Sequence, residues 1–567
     1  MERFSVRLPR VWAIFLLLVA VEASAQSDVG AAGSDSDARA TALTQPDIPT
    51  SGPFGGLIVF VRFRDDQSGG DCSPSNLSWP VDAELPDFAE EMGNPESDRS
   101  LHHYFAAQSQ GTFDFRVSVY DHVVVTAADE RAYGPTILST RRLSEEVLDV
   151  LDADPDFDFR DFDLNRDGWF DHLFIVVRRL NATKLVSAGN AGGVSSLGFS
   201  YNNTDRFDGI RIHSGLSGSY NRYGAGANIL PMQDLTRLLA HEFGHDLWRA
   251  HFRAHMHPIR GNGVPNDGSG SSAADRTSGY GLMIGEGASS TRVYLMNTMS
   301  AYERSLLGAN WIACDTLATD ATVVLGDMFT RHDCAIVELG GSFAGGRLYV
   351  SNRQRSNYFD WPTRPTSRIN GECIAIDRGL GAEGLMVEYV RDGSSDRDLI
   401  PADGYIRNPD GAEFATAFET VAKGDLFDPR LKSQLTPWTR PNANGHFGYR
   451  RGQTPGWQAL TNIRYTGGSG GEMAFDYVTD FRTRPVITAD SWIGAETSDY
   501  RFESDIVVEP GATLTIGGGA DIAMAPRRRI IVRGRLIIGD AMIRFERGMP
   551  WDGIVIADGG ELVFGTR

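Results

Sequence analysis

The sequence predicts an α+β chain in three parts: a mixed helix-and-strand module, a β-rich module, and a tail built like the coils of a parallel β-helix. Three observations carry this. Helical and strand patterns mix from Gly56 to about Trp311. From Ala313 to about Phe481, short strand patterns are separated by Gly, Pro, Asn and Asp. Beyond residue 482, short aliphatic runs are broken by Gly at near-regular intervals.

At the N-terminus, Arg3, Arg7 and Arg10 precede an apolar run from Val11 to Val21, and Ala23-Ser24-Ala25 suits a signal peptidase. Residues 1–25 therefore read as a secretory signal, with a run too short to favour a membrane span. The mature chain is expected outside the cell, free or at the surface, with no transmembrane segment. Residues 26–54 are rich in Ser, Ala, Asp and Thr without periodicity, which reads as a linker or a pro-segment remnant. Composition agrees with export. The 567 residues include 63 Gly and carry a net charge of −20, an acidic and loop-rich balance that argues against nucleic acid as a partner. Four cysteines, Cys72, Cys314, Cys334 and Cys373, permit two disulfides, with Cys314–Cys334 the expected pair; none has the CxxC spacing of a zinc or redox motif.

The first module is expected over residues 55–313. Gly56–Phe63 is a continuous apolar run suited to a buried strand. A helix is expected over Leu101–Gln108, then Gly111, an alternating strand over Thr112–Val117, a helix over Arg142–Leu151 and a strand over His172–Val177. Before that last strand, Asp163, Asn165, Asp167 and Asp171 place oxygen ligands at alternate positions around Gly168, like the first part of a Ca²⁺ loop. Phe174 stands where a bidentate Glu would close such a loop, so the competing reading is an Asx-rich turn. No lone histidine elsewhere, such as His102 or His172, is given a ligand role.

The stretch that carries chemistry is His241-Glu242-Phe243-Gly244-His245. Positions i and i+4 share one helix face, so His241 and His245 can present two imidazoles to one Zn²⁺, with Glu242 beside them as the general base of metal-assisted peptide hydrolysis. Leu235, Leu238, Leu239 and Leu247 give this helix an apolar stripe, and Asp234 is the expected N-cap. A third ligand is needed. His251 falls at the last position of HExxHxxGxxH, with His255 and His257 as rivals, but Trp248 stands where that pattern has Gly. Further on, Gly281-Leu282-Met283 forms a Gly-bounded apolar turn whose Met283 could floor a zinc site or be ordinary core.

Taken together, Gly56–Phe63, Tyr104–Gly111, Asp163–Asp171, the HEFGHDL stretch, Gly281–Met283 and Ser300-Ala-Tyr-Glu-Arg304 with Gly308 and Trp311 resemble the immune inhibitor A-like family of secreted bacterial zinc metallopeptidases. Segments as far as Gly424–Phe427 extend the resemblance over roughly residues 55 to 480. It implies a metzincin-like fold and endopeptidase activity, with His241 and His245 as zinc ligands, Glu242 as general base and Met283 as the turn methionine. Two positions depart from the family: its Gly-Leu-Pro-Asp continuation is here Trp248-Arg249-Ala250-His251, so its Gly is lost and its Asp is a His.

The β-rich module is expected over residues 314–481. The tail, over 482–567, has Asp505–Ile516, Ile530–Ile538, Trp551–Ile556 and Glu561–Phe564 as β-helix-like runs, and since the pattern still runs at Arg567, more coils are expected beyond it. The expected function is a secreted zinc-dependent endopeptidase acting on protein or peptide substrates. The alternative, motivated by Trp248 and the tail, is a catalytically degenerate adhesion or glycan-binding protein.

Overall fold

A computed structural model of the chain describes residues 48–67, 79–82, 84–133, 137–179, 193–194, 206–212, 225–228, 232–248, 281–282, 298–354, 356, 363–369, 372–377, 383–391, 397–400, 402, 426–430, 432–439, 456–467, 471–494, 500–545 and 548–565. The expected signal and residues 26–47 of the expected linker fall outside these residues; the end of that linker is corrected, because Ile48 and Phe54 are buried in the core and the first strand already begins at Gly52. Among those described, no helix is long and apolar enough to cross a membrane.

The fold is α+β, and its first sheet is organised around β1 (Gly52–Arg62). β2 (Phe113–Val119) and β4 (Leu173–Val177) flank β1 in parallel, and β3 (Val124–Val125) pairs with its end. β8 (Ala225–Asn228) continues the sheet in parallel beyond β4, β5 (Gly193–Val194) closes that edge antiparallel, and β6 (Arg206–Phe207) and β7 (Ile210–Arg211) form a separate antiparallel pair. A parallel strand covered on both faces must be apolar on both, which is why Leu57–Val61 reads as an unbroken hydrophobic run, ended by the half-buried Arg62. The two faces feed two cores. Phe54, Ile58 and Phe60 of β1 and Phe174 and Val176 of β4 face one core, with α2 (Leu101–Gln108) and α4 (Met232–Trp248). Leu57, Val59, Val61, Leu173, Ile175 and Val177 face the other, with Leu143, Val147, Leu148 and Leu151 of α3 (Ile137–Ala153). α1 (Ala89–Gly93) is a short turn of helix on the first side.

α2 has the bounds expected of it, and α3 extends beyond both ends of its expected span. Another expectation is corrected. Asp234 is not the N-cap of the histidine helix, because helical structure already runs from Met232, whose buried side chain joins the core with Leu235.

The β-rich region begins with β9 (Ala313–Leu317), which pairs in parallel with β11 (Asp333–Glu338). Cys314 and Cys334 are register partners there, with Cα atoms 4.4 Å apart, and form the expected disulfide. β12 (Gly346–Arg353), β15 (Gly384–Arg391) and β16 (Arg397–Leu399) extend this sheet antiparallel, while β13 (Thr363–Ile369) and β14 (Glu372–Asp377) pair antiparallel with each other. A second sheet of β10 (Ala321–Leu325), β18 (Met473–Val478) and β17 (Ala459–Tyr465) shares its core, where Val337, Val350 and Val387 join Leu325, Leu460 and Phe475. Residue 313 does not separate independent cores: Cys334, Tyr349 and Val390 pack into the same core as α2 and α4.

The tail winds three parallel sheets in which each strand pairs with the strand three further on. Ile506, Ile530 and Ile554 stack in register, as do Leu514, Leu536 and Leu562. This is the coil-on-coil stacking that the Gly-broken aliphatic runs predict. Turns between strands bring backbone onto backbone: a Cβ on Gly534 would sit 2.2 Å from the Glu509 carbonyl oxygen.

Candidate metal centre

The histidine helix α4 is held from several sides. Leu235, Leu239, Phe243 and Leu247 face the core, and the Thr236 hydroxyl donates to the Arg99 carbonyl at 2.9 Å. Phe243 stacks on Phe115 with ring centroids 4.6 Å apart. Such packing fixes the helix about its own axis, and with it the direction of the residues between the apolar ones.

His241 and His245 meet on one side, with ring centroids 5.0 Å apart and planes at 88°. His241 is buried and its Nδ1 lies 2.6 Å from the Leu282 carbonyl oxygen. A carbonyl can only accept, so Nδ1 carries a proton, and in the neutral ring Nε2 then keeps its lone pair. This is the tautomer a metal-ligating imidazole needs, with its other nitrogen tied to a backbone acceptor. Glu242 is buried next to it, and burial pushes its carboxyl up to about 8, with Arg237 nearby pulling the other way. A dication beside Glu242 would draw that value down.

Trp248, at the position where the compared pattern has Gly, is still helical and is buried. Its indole N–H donates to the Glu303 carbonyl at 2.9 Å. Glu303 lies in α5 (Ala301–Ser305), whose capping box pairs the Ser300 hydroxyl with the Glu303 N–H and the Glu303 carboxylate with the Ser300 N–H. The same carboxylate oxygen accepts the Leu282 N–H at 2.9 Å. Leu282, from the Gly281–Met283 turn singled out in the sequence, and Ser300 and Glu303, quoted there only within the family resemblance, thus adjoin the two histidines. His251, its rivals His255 and His257, and Met283 lie outside the described residues. Two of the expected ligands are therefore placed, and they are together.

The loop Asp163–Asp171 is cross-braced by its own backbone. Asp163 accepts the Asp167 and Gly168 N–H groups, Asn165 also accepts from Asp167, and Asp167 accepts from Trp169. Asp171 turns toward β1, where one oxygen accepts the N–H groups of Gly55 at 2.7 Å and Leu164 at 2.8 Å. These are the bonds of an Asx-rich turn, with Arg166 and Gly168 at positive φ. Among the described residues, no three or more His, Cys, Asp or Glu side chains gather as a group that could hold a metal ion. Burial raises Asp171 to about 7, helped by the charges of Asp167 and Asp163. Its neighbour His172 is enclosed by Phe174, Phe243 and Phe115, and burial pushes it down to about 3, so it is neutral.

A scan against protein-family models and a search of curated proteins found no match to the chain.

Proposed function

We propose that the chain is a secreted zinc-dependent endopeptidase of the immune inhibitor A-like kind, with a metzincin-like catalytic module. The observation that carries the reading is the bond from His241 Nδ1 to the Leu282 carbonyl, which leaves Nε2 as a ligand one helical turn from His245. His241 and His245 would hold the metal, and His251 is the proposed third ligand. Bound there, zinc would supply a Lewis acid for the scissile carbonyl and would acidify the attacking water. Glu242 takes the proton from that water and passes it to the leaving amine. Its burial favours the proton-holding form, which suits the second of these transfers, while the first needs the charge of the bound metal to draw the carboxyl back toward ionisation. Trp248, the residue behind the degenerate alternative, is built into the end of the helix by packing and a hydrogen bond, so its presence speaks less for lost activity.

A Ca²⁺ ion at Asp163, Asn165, Asp167 and Asp171 is a secondary proposal, which rests on the spacing of these oxygen ligands and on carboxylates whose charges oppose one another, and which requires the side chains to leave their backbone partners and gather on the ion. The test of the main reading is Glu242→Gln, which should abolish peptide cleavage while zinc stays bound. Cleavage at the wild-type rate in that variant would refute the assigned role.

A further inference from the structure

We propose that Glu303 is a positioning residue for the metal centre, fixing both the backbone that orients His241 and the end of the helix that carries the two histidines. The proposal rests on the reading of His241 as a zinc ligand.

A backbone carbonyl can orient an imidazole only if the carbonyl is itself held. Leu282 lies 41 residues from His241 in sequence, so helix α4 does not fix it locally. It is held through Glu303. The Leu282 N–H donates to Glu303 Oε2 at 2.9 Å, while the Leu282 carbonyl accepts from His241 Nδ1. One residue is thereby pinned at both of its backbone polar groups.

Glu303 is placed to do this by its own helix. In an ordinary capping box the carboxylate at the third helical position serves only the N-cap backbone. Here Oε2 accepts the Ser300 N–H at 2.7 Å and the Leu282 N–H as well, so a local cap doubles as a long-range tie. The residue is fully buried, and a polar group in that setting is stable only when it is hydrogen-bonded. Its donors are backbone groups whose positions it fixes in return. The Glu303 carbonyl adds a second tie, taking the Trp248 indole N–H, so the same residue reaches the imidazole's partner and the C-terminal end of the histidine helix. The helix holding Glu303 is anchored in turn from the β-rich region, where Glu388 of β15 accepts the Tyr302 N–H at 3.4 Å.

The experiment measures zinc affinity by competition with a chromophoric chelator, and the visible spectrum of the cobalt-substituted protein, for the full chain and its Glu303→Ala, Glu303→Gln and Trp248→Phe variants. Glu303→Ala should weaken zinc binding by about 10- to 100-fold, the range for loss of a group that orients a ligand, and should alter the cobalt bands. Glu303→Gln keeps an oxygen for the Leu282 and Ser300 N–H groups and should recover most of the affinity. Trp248→Phe removes the indole donor while keeping a ring in place; it should weaken binding several-fold and decides the matter if Glu303→Ala does not fold. A folded Glu303→Ala protein with wild-type affinity and spectrum, whatever its melting temperature, would overturn the proposal, as would a Trp248→Phe protein unchanged in both when that variant has to decide. A wild type that binds no zinc is a separate result, which would remove the metal-site reading and this proposal with it.

Discussion

Asp171 and His172 are adjacent, buried and shifted in opposite directions, so replacing one should uncover the pH dependence of the other. His172 titrates near 3 in the folded chain, against about 6.5 when unfolded. Between those values the unfolded state binds one more proton. The stability that neutral His172 confers is present above about pH 6.5 and is lost as pH falls toward about 3. Asp171, raised to about 7, behaves in the opposite sense: its stability is present below its unfolded value near 4 and is lost as pH rises through about 7. Each slope is about 1.4 kcal/mol per pH unit, so between about pH 4 and 6.5 the two nearly cancel. His172→Phe keeps a ring among Phe115, Phe174 and Phe243 and removes one of the two titrations. Relative to wild type, the variant should gain about 3 kcal/mol of stability between pH 6.5 and pH 4. Hydrogen exchange of peptides covering β1 and β4, corrected for the intrinsic rate at each pH, reports this locally. Equal pH dependence in variant and wild type would refute the assignment of a buried, neutral His172.

Other expectations follow from particular contacts. Replacing both Cys314 and Cys334 by Ser should cost about 2–4 kcal/mol by freeing the unfolded chain, read as a lower melting transition; an unchanged transition would mean the bridge constrains little. Gly534→Ala forces a Cβ against the Glu509 and Ala512 carbonyl oxygens and should destabilise the tail by about 1–3 kcal/mol or more, seen as faster proteolysis after residue 500. Added calcium should raise the melting temperature of the wild type and not of Asp167→Asn; identical melting with calcium and with a chelator would leave the 163–171 loop as an Asx turn alone.

The sequence disclosed elements whose signals are local. Leu57–Val61 is apolar on both faces because its neighbours are parallel and helices cover the sheet, and the tail's runs are short because each coil must turn. The bounds of α2 were expected from its sequence, and the structure adds its cap, Ser100, whose hydroxyl accepts the His103 N–H. What was not legible depended on distant packing. Asp234 looked like a cap, but Met232 has a core contact that carries the helix past it. Strands β5 and β8 have no periodic signature at two and four residues. The role of Glu303 needed the fold, since a capping box announces a helix and not the remote backbone its carboxylate also holds.

The most direct measurement is the zinc content of the purified chain, together with casein cleavage by the wild type and Glu242→Gln, each with and without a chelator. The account predicts about one zinc per chain in both proteins, with cleavage only by the wild type and only without chelator. A chain without zinc, or cleavage that persists in Glu242→Gln or under chelation, would contradict it.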